Sequence, residues 1–461
     1  MIKYTLANSL NYATTFLFQI FLAFRFGADK DLSILIILIG ISTSVIGIFA
    51  NTSQVALLPS ISDGGLTRTI ALRKMWALTL LGNLINLIVI FFLNRLDVLP
   101  FELDVNKILF YLVFSSLQLF ALQLITLHLS NKSIASALIS PSIPSFLGTL
   151  TCAFTASIHW IMFGLIIGTL LQIIYLAISI GEPQSERIPN SRQSPSSMSL
   201  ILNLTQYTFI SISSVMQKIC LQNYSFEALS TFNYADRIAN NAQATTLNGI
   251  TSGLFSEWSQ PKSDFRNLAR KKSQIIQVFK ILFLVVMSIS IFSDELVALC
   301  FQRGKFDQDL TLQVSQLLVQ MQILVLVQAV ATIWANMMYA TSRIMAPSFF
   351  GILQMSLTII LIGMNWGKLS PFNLVEILII INVLMTVFKL LFSHNFYSHR
   401  VESRFFHWYS KISMLYLLAT SLSIAILTSI STQLRLVFFL VLILIYFFKM
   451  KSKSNYIERI N

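Results

Sequence analysis

Residues 32–56 read LSILIILIGISTSVIGIFANTSQVA, an uncharged run dominated by isoleucine and leucine. One hydrocarbon crossing takes about 20 mostly apolar helical residues, and this stretch supplies them without Asp, Glu, Lys or Arg. Outward from it, comparable runs fall at 4–26 on one side and at 75–94, 107–129, 134–157, 159–181, 198–222, 226–256, 274–300, 313–341, 346–366, 374–394, 409–431 and 432–450 on the other. The 461 residues are 55% hydrophobic and 11% charged, with a mean hydropathy of +0.73. A soluble domain carries about 25% charged residues. Sustained over the whole length, this balance excludes a soluble protein and requires an apolar solvent. The 37 phenylalanines suit lipid-facing packing. The expected fold class is an all-α polytopic membrane protein of about 14 transmembrane helices.

The net charge of +13 sits in short basic runs between the spans, the pattern of the positive-inside bias rather than of nucleic-acid binding. With the N-terminus inside, 20 of the 32 Lys and Arg collect on one side and 8 on the other, while Lys218, Arg237, Lys280 and Lys389 fall within spans. That asymmetry predicts both termini in the cytoplasm of a bacterial inner membrane. Met1-Ile2-Lys3 leads straight into an apolar segment with no small-residue cleavage site, so the segment reads as the first span. Cys152, Cys220 and Cys300 are too scattered for a disulfide framework or a zinc site, and the five histidines have no metal spacing. Walker A, GxSxG and HExxH motifs are absent. No enzyme activity, metal or cofactor is therefore expected.

The longest polar stretch, EPQSERIPNSRQSPSS at 182–197, reads as a cytoplasmic linker with six spans before it and eight after. A faint repeat relates Asn8-Ser9-Leu10-Asn11-Tyr12 in span 1 to Asn203-Leu204-Thr205-Gln206-Tyr207 in span 7, as in transporters built from repeated halves. Pro141 and Pro144 predict a kink in span 5.

Polar side chains in membrane helices are costly unless they face protein or water, so their placement is informative. Asn8, Asn11, Thr15 and Gln19 form a stripe on span 1; Asn203, Gln206, Ser213 and Gln217 form one on span 7; Gln313, Gln316, Gln320 and Gln328 form one on span 10. Span 8 is polar nearly throughout, with Asn233, Asp236, Arg237, Asn240, Asn241, Gln243, Thr245, Thr246 and Asn248. Single residues of this kind serve helix–helix hydrogen bonding. A helix as polar as span 8 calls for a hydrated cavity beside it, placed by the matching stripes between the two halves. Asp236-Arg237 has two readings: packing against neighbouring helices, or a cavity cation that meets an anionic substrate, since guanidinium binds phosphate bidentately. Proton coupling would rest on Asp236, and the membrane potential is the alternative drive. Lys218, Lys280 and Lys389 lie near span ends, where snorkelling accounts for them.

Asn233-Tyr234-Ala235-Asp236-Arg237 resembles the Tyr-Ala-Asp-Arg motif of the MurJ (MviN) lipid II flippases. Phe301-Gln302-Arg303-Gly304-Lys305-Phe306 is similar to that family's Phe-x-x-Gly-x-Phe segment, and Met338-Tyr339-Ala340-Thr341 with Ala346-Pro347 is similar to its Phe-Tyr-Ala segment and following proline. Phe26-Gly27-Ala28, Asp31, Ser53-Gln54 and Leu58-Pro59 fit the same family, over roughly residues 20–350. The resemblance implies a fold of the multidrug/oligosaccharidyl-lipid/polysaccharide exporter type. It implies an N-terminal six-helix lobe at 1–181, a C-terminal six-helix lobe at 198–394, and two further helices with a basic tail at 395–461. The implied activity is flipping of a polyprenyl-diphosphate-linked glycolipid, the peptidoglycan precursor lipid II first, by alternating access. Membrane lipids and the cell-envelope synthesis machinery are the implied partners. The resemblance makes Arg237 the cavity arginine; with the polar stripes, the expected substrate-binding residues are Arg237, Asp236, Asn240, Asn11, Gln19, Asn233 and Gln206. The family's further cavity arginines are replaced here by Tyr12, Phe18 and Ser44. That departure admits another lipid-linked oligosaccharide for capsule or exopolysaccharide, a multidrug exporter of the same fold, or a non-transporting scaffold.

Overall fold

The computed structural model describes residues 2–62, 68–95, 104–130, 134–155, 157–179, 197–243, 268–340, 345–392 and 400–428. All regular structure among them is helical: α1 (Ile2–Phe26), α2 (Lys30–Ser62), α3 (Arg68–Arg95), α4 (Val105–Ser130), α5 (Ile134–Ile139), α6 (Ser142–Phe154), α7 (Ile158–Ser179), α8 (Ser197–Tyr224), α9 (Phe226–Gln243), α10 (Leu268–Ile291), α11 (Ser293–Phe301), α12 (Gln308–Ala340), α13 (Met345–Met364), α14 (Pro371–Phe392) and α15 (Arg400–Thr428). The linker expected at 182–197, apart from Ser197, lies outside the described residues. So do Thr245, Thr246, Asn248, the expected span 432–450, the basic tail, and the side chains of Asn8 and Asn203.

Eight stretches of the described residues are long and apolar enough to cross a membrane, among them Lys30–Phe49, Ile158–Ser179, Gln308–Met338 and Pro371–Leu391. α1, α8 and α9 fall short of that measure because their polar stripes lower the mean, the feature that marks them as facing protein or water. Large apolar side chains such as Leu80, Phe91, Phe154, Ile178, Met364 and Leu418 project outward, as lipid-facing residues do.

The span-5 kink expected at the prolines is a full break between α5 and α6 at Pro141. Gly168 on α7 sits against the Pro144 backbone, where a Cβ would approach Pro144 Cα to 2.5 Å. A second break, between α10 and α11 at Phe292, has no proline to announce it; the Phe292 and Leu296 amides on either side donate to Ser288 O and Phe292 O at 3.0 and 2.8 Å. Asp104 caps α4: its Oδ1 accepts from the Lys107 amide at 2.8 Å, and that bond holds the carboxyl below its ordinary range.

The helices pack as two sets. α1, α2, α4, α6 and α7 lie against one another, with α3 on α2 and α4. In the second set α8 packs on α13, α12 packs on α9, α11 and α14, and α15 lies against α10 and α12. The sets meet chiefly where α2 runs along α8, with smaller contacts of α2 and α1 on α9 and of α1 on α11.

Candidate functional site

The two sets are sealed at the end of the bundle that carries Gly27, Phe226 and Phe301. Ser33 Oγ of α2 donates to Phe226 O at 2.8 Å and lies 3.2 Å from Ser230 Oγ of α9. The buried Tyr234 hydroxyl donates to Gly27 O at 2.7 Å, and the Lys305 amide donates to Phe24 O at 3.2 Å. Behind these bonds the Tyr234 ring packs on Phe301 and Phe306 at centroid distances of 5.1 and 5.3 Å. The two turns interlock because both have glycine in the left-handed region, Gly27 at φ 59° and Gly304 at φ 65°. A Cβ on Gly27 would stand 2.7 Å from Lys305 O, and one on Gly304 would strike Phe24 O. Arg25 braces the same end inside the first set, donating to Cys152 O at 3.2 Å and to Ala153 O. It thereby satisfies carbonyls at the end of α6.

Below the seal lies a small cavity of about 40 Å³ at the junction of the two sets. Gln19 of α1 and Gly40 and Thr43 of α2 face Lys218 of α8 and Asn233 and Arg237 of α9. Asn233 Nδ2 donates to Gln19 Oε1 at 3.3 Å, a bond between residues 214 positions apart in sequence. Arg237 is eleven residues into α9, about 16 Å from the sealed end at the helical rise. Asp236, next to Arg237 in sequence, is hydrogen-bonded to Asn240 and within electrostatic reach of both Arg237 and Lys218. The cluster therefore has two cations and one carboxylate, a net attraction for an anion.

Of the residues singled out from sequence, Gln19, Asn233, Asp236, Arg237 and Asn240 come together around this junction. Asn11 is half-buried, two turns further along α1 from Gln19. Gln206 is placed elsewhere: its amide packs over Gly351 of α13, where a Cβ would meet Nε2 at 2.5 Å. Of the three departures, Phe18 forms part of the cavity wall, Tyr12 is half-buried, and Ser44 is buried with its carbonyl accepting from Ser211 Oγ at 2.7 Å.

Lys218 corrects the sequence reading. Snorkelling would send its side chain toward the nearby end of α8. Helical side chains instead lean toward their own N-terminus, and Lys218 lies across the bare Cα of Gly40 with its Nζ where a Cβ would be. The signal available in sequence was the spacing: Lys218 lies seven residues, two helical turns, beyond Ser211, whose hydroxyl faces α2. Lys389, also assigned to snorkelling, is buried and bonded inside the second set.

No protein-family model and no curated protein sequence matches the chain. Among solved structures it is similar to the lipid II flippase MurJ in an inward closed conformation, at TM-score 0.69 and 15% identity over 91% of this chain and 98% of that one. It is similar to a multidrug resistance MATE transporter of the MOP superfamily in its inward-facing conformation, at 0.60 and 11% over 92% and 96%. It is also similar to a MOP superfamily transporter from Pyrococcus furiosus described by the reverse polarity of its binding pocket, at 0.53 and 12% over 87% and 95%. At these identities the likeness is one of fold, and it is the fold expected from the sequence: an all-helical, multi-pass membrane protein.

Proposed function

We propose that this chain flips a polyprenyl-diphosphate-linked saccharide across the bacterial inner membrane, lipid II being the first substrate to try. The observation that carries the reading is the pairing of Lys218 with Arg237 at one cavity between the two helical sets. Two cations contributed by α8 and α9 suit a diphosphate, one as a point charge and the other as a bidentate fork. Lys218 restores from the second set part of the positive charge missing at Tyr12, Phe18 and Ser44. Gln19, Asn233 and Asn240 supply neutral donors that replace the hydration of a sugar headgroup.

A cavity of about 40 Å³ holds little more than a water molecule. At this junction the described residues leave no room for a headgroup, which enters when the sets part. On the positive-inside count the seal at Gly27 faces the outside, so entry is from the cytoplasm while the polyprenyl tail stays in lipid. Rocking of the sets about their α2–α8 contact then exposes the cavity to the other face. A pocket with cations in excess repels the organic cations of multidrug export, which favours the anionic headgroup.

The test is flipping of fluorescent lipid II, and of a second polyprenyl-diphosphate oligosaccharide, in proteoliposomes. Arg237→Ala and Lys218→Ala should each lower the rate about 10- to 100-fold, the worth of one hydrogen bond to a charged group. Transport of only the second lipid would keep the mechanism and replace lipid II. Transport of neither would reject the flippase.

A further inference from the structure

A second lysine within the helices, this one buried, belongs to no part of the interlobe cavity. Lys389 stands three residues before the end of α14, yet only 7% of its surface is exposed. Its Nζ donates to Gln354 Oε1 of α13 at 2.8 Å. Gln354 Nε2 donates in turn to Asn382 Oδ1 at 2.8 Å, and Asn382 Nδ2 donates to Leu378 O at 2.7 Å. Asn382 and Leu378 precede Lys389 on α14, so the chain of bonds leads back into the helix pair and away from the helix end. Every donor points the same way, from the amine through two amides to a backbone carbonyl. This order fixes an acceptor oxygen on Nζ, which a charged ammonium and a neutral amine can both use.

No charged partner accompanies it. Among the described residues Lys389 forms no ion pair. α13 has no titratable residue at all, and α12 has only Asp309 in its first turn and Tyr339 in its last. On α9 the candidates are Glu227, Tyr234 and the cavity pair Asp236 and Arg237; on α14 itself, Glu376 is exposed near the opposite end. α15 begins with Arg400, Glu402 and Arg404; its His407 and Lys411 are exposed, and its Tyr409 hydroxyl is committed to Val330 O at 2.8 Å, leaving Tyr416 further along. An ammonium buried on neutral acceptors alone is a costly arrangement.

We propose that Lys389, held by Gln354 and Asn382, is a proton-binding site of the second helical set whose occupancy follows the conformational cycle. When α13 and α14 loosen and water reaches Nζ, an N–H bond forms with a proton taken from water. As the packing described here re-forms, that bond breaks, the proton returns to water, and the amine keeps its lone pair and its bond to Gln354. No oxidation or co-reactant is involved. The step concerns the cycle itself and holds for any cargo, so it stands or falls apart from the flippase reading.

The test uses the full chain in lipid nanodiscs without substrate, one spin label on each helical set, with the inter-label distance followed from roughly pH 6 to 10. The wild-type distance distribution should change with pH, and Lys389→Met, a buried chain of similar length without the amine, should hold one distribution throughout. Gln354→Glu, which sets a carboxylate against Nζ, should move the half-change upward by about 1–3 pH units. A wild type indifferent to pH, a Lys389→Met variant that titrates as the wild type does, or a Gln354→Glu variant with the half-change unmoved overturns the proposal. If Lys389→Met fails to fold, Gln354→Glu decides alone.

Discussion

Tyr234 has no exposed surface, and its hydroxyl is the donor that reaches the Gly27 carbonyl across the two helical sets. Tyr234→Phe keeps the ring contacts with Phe301 and Phe306 and leaves that carbonyl without this donor. The seal should weaken by about 1–3 kcal/mol, seen as a larger open fraction in inter-label distances, with the thermal midpoint lowered only slightly. At this scale the sequence was legible where a polar residue type is rare for its surroundings: Gln19, Asn233, Asp236 and Arg237 stood out in spans and do gather at one junction. It was illegible where the direction of a side chain decides the role. Lys218 and Lys389 sit near helix ends, and position alone assigns both to the interface. Which way a lysine leans depends on what the opposite helix leaves open, and Gly40 and Gln354 are 178 and 35 positions away from their lysines. Gln206 lies on the same helix as the interlobe residues Ser211 and Lys218 and yet turns to Gly351, because a helix touches neighbours on more than one face.

Among the elements, the turns at Gly27 and Gly304 have the strictest requirement. Each needs a left-handed residue, which costs a residue with a Cβ about 1–2 kcal/mol, and each also lacks room for one. Gly304→Ala should therefore pry the turn off Phe24 and unseal that end. A cysteine at Ser230, in a chain with Cys300 replaced by Ser, should then react several-fold faster with a membrane-impermeant maleimide added from outside; an unchanged labelling rate would refute the interlock. The α5–α6 break was readable because proline forbids the helical bond. The bend at Phe292 was not, since no residue there prohibits a straight helix and tertiary packing alone selects the curve. α9 was readable as an unusual span from its polarity, though not the seal built on its first turns, which depends on the Gly27 carbonyl after α1 and the Ser33 hydroxyl of α2.

For the whole molecule, the closed arrangement predicts its own lock. Ser33 and Ser230 lie on different sets with hydroxyl oxygens 3.2 Å apart, near enough for cysteines at both positions to reach disulfide geometry. Ser33→Cys with Ser230→Cys should form a bond under mild oxidant that stops flipping, and reductant should restore it; transport undiminished by a fully formed bond would mean that this end never opens. Hydropathy and the basic-residue count revealed a many-span protein and the order of its helices, because partition into lipid is a local property of each segment. Which helices of one half touch the other half is a property of the assembled fold, and the run of α2 along α8 was beyond a reading of single spans. That run also bears on descent. Since Lys218 occupies the space a side chain at position 40 would need, the two sites are not free to drift separately. Lineages that place alanine or anything larger at 40 should carry a short residue at 218, and the lysine should persist only beside glycine, a correlated substitution that an alignment of divergent descendants would reveal.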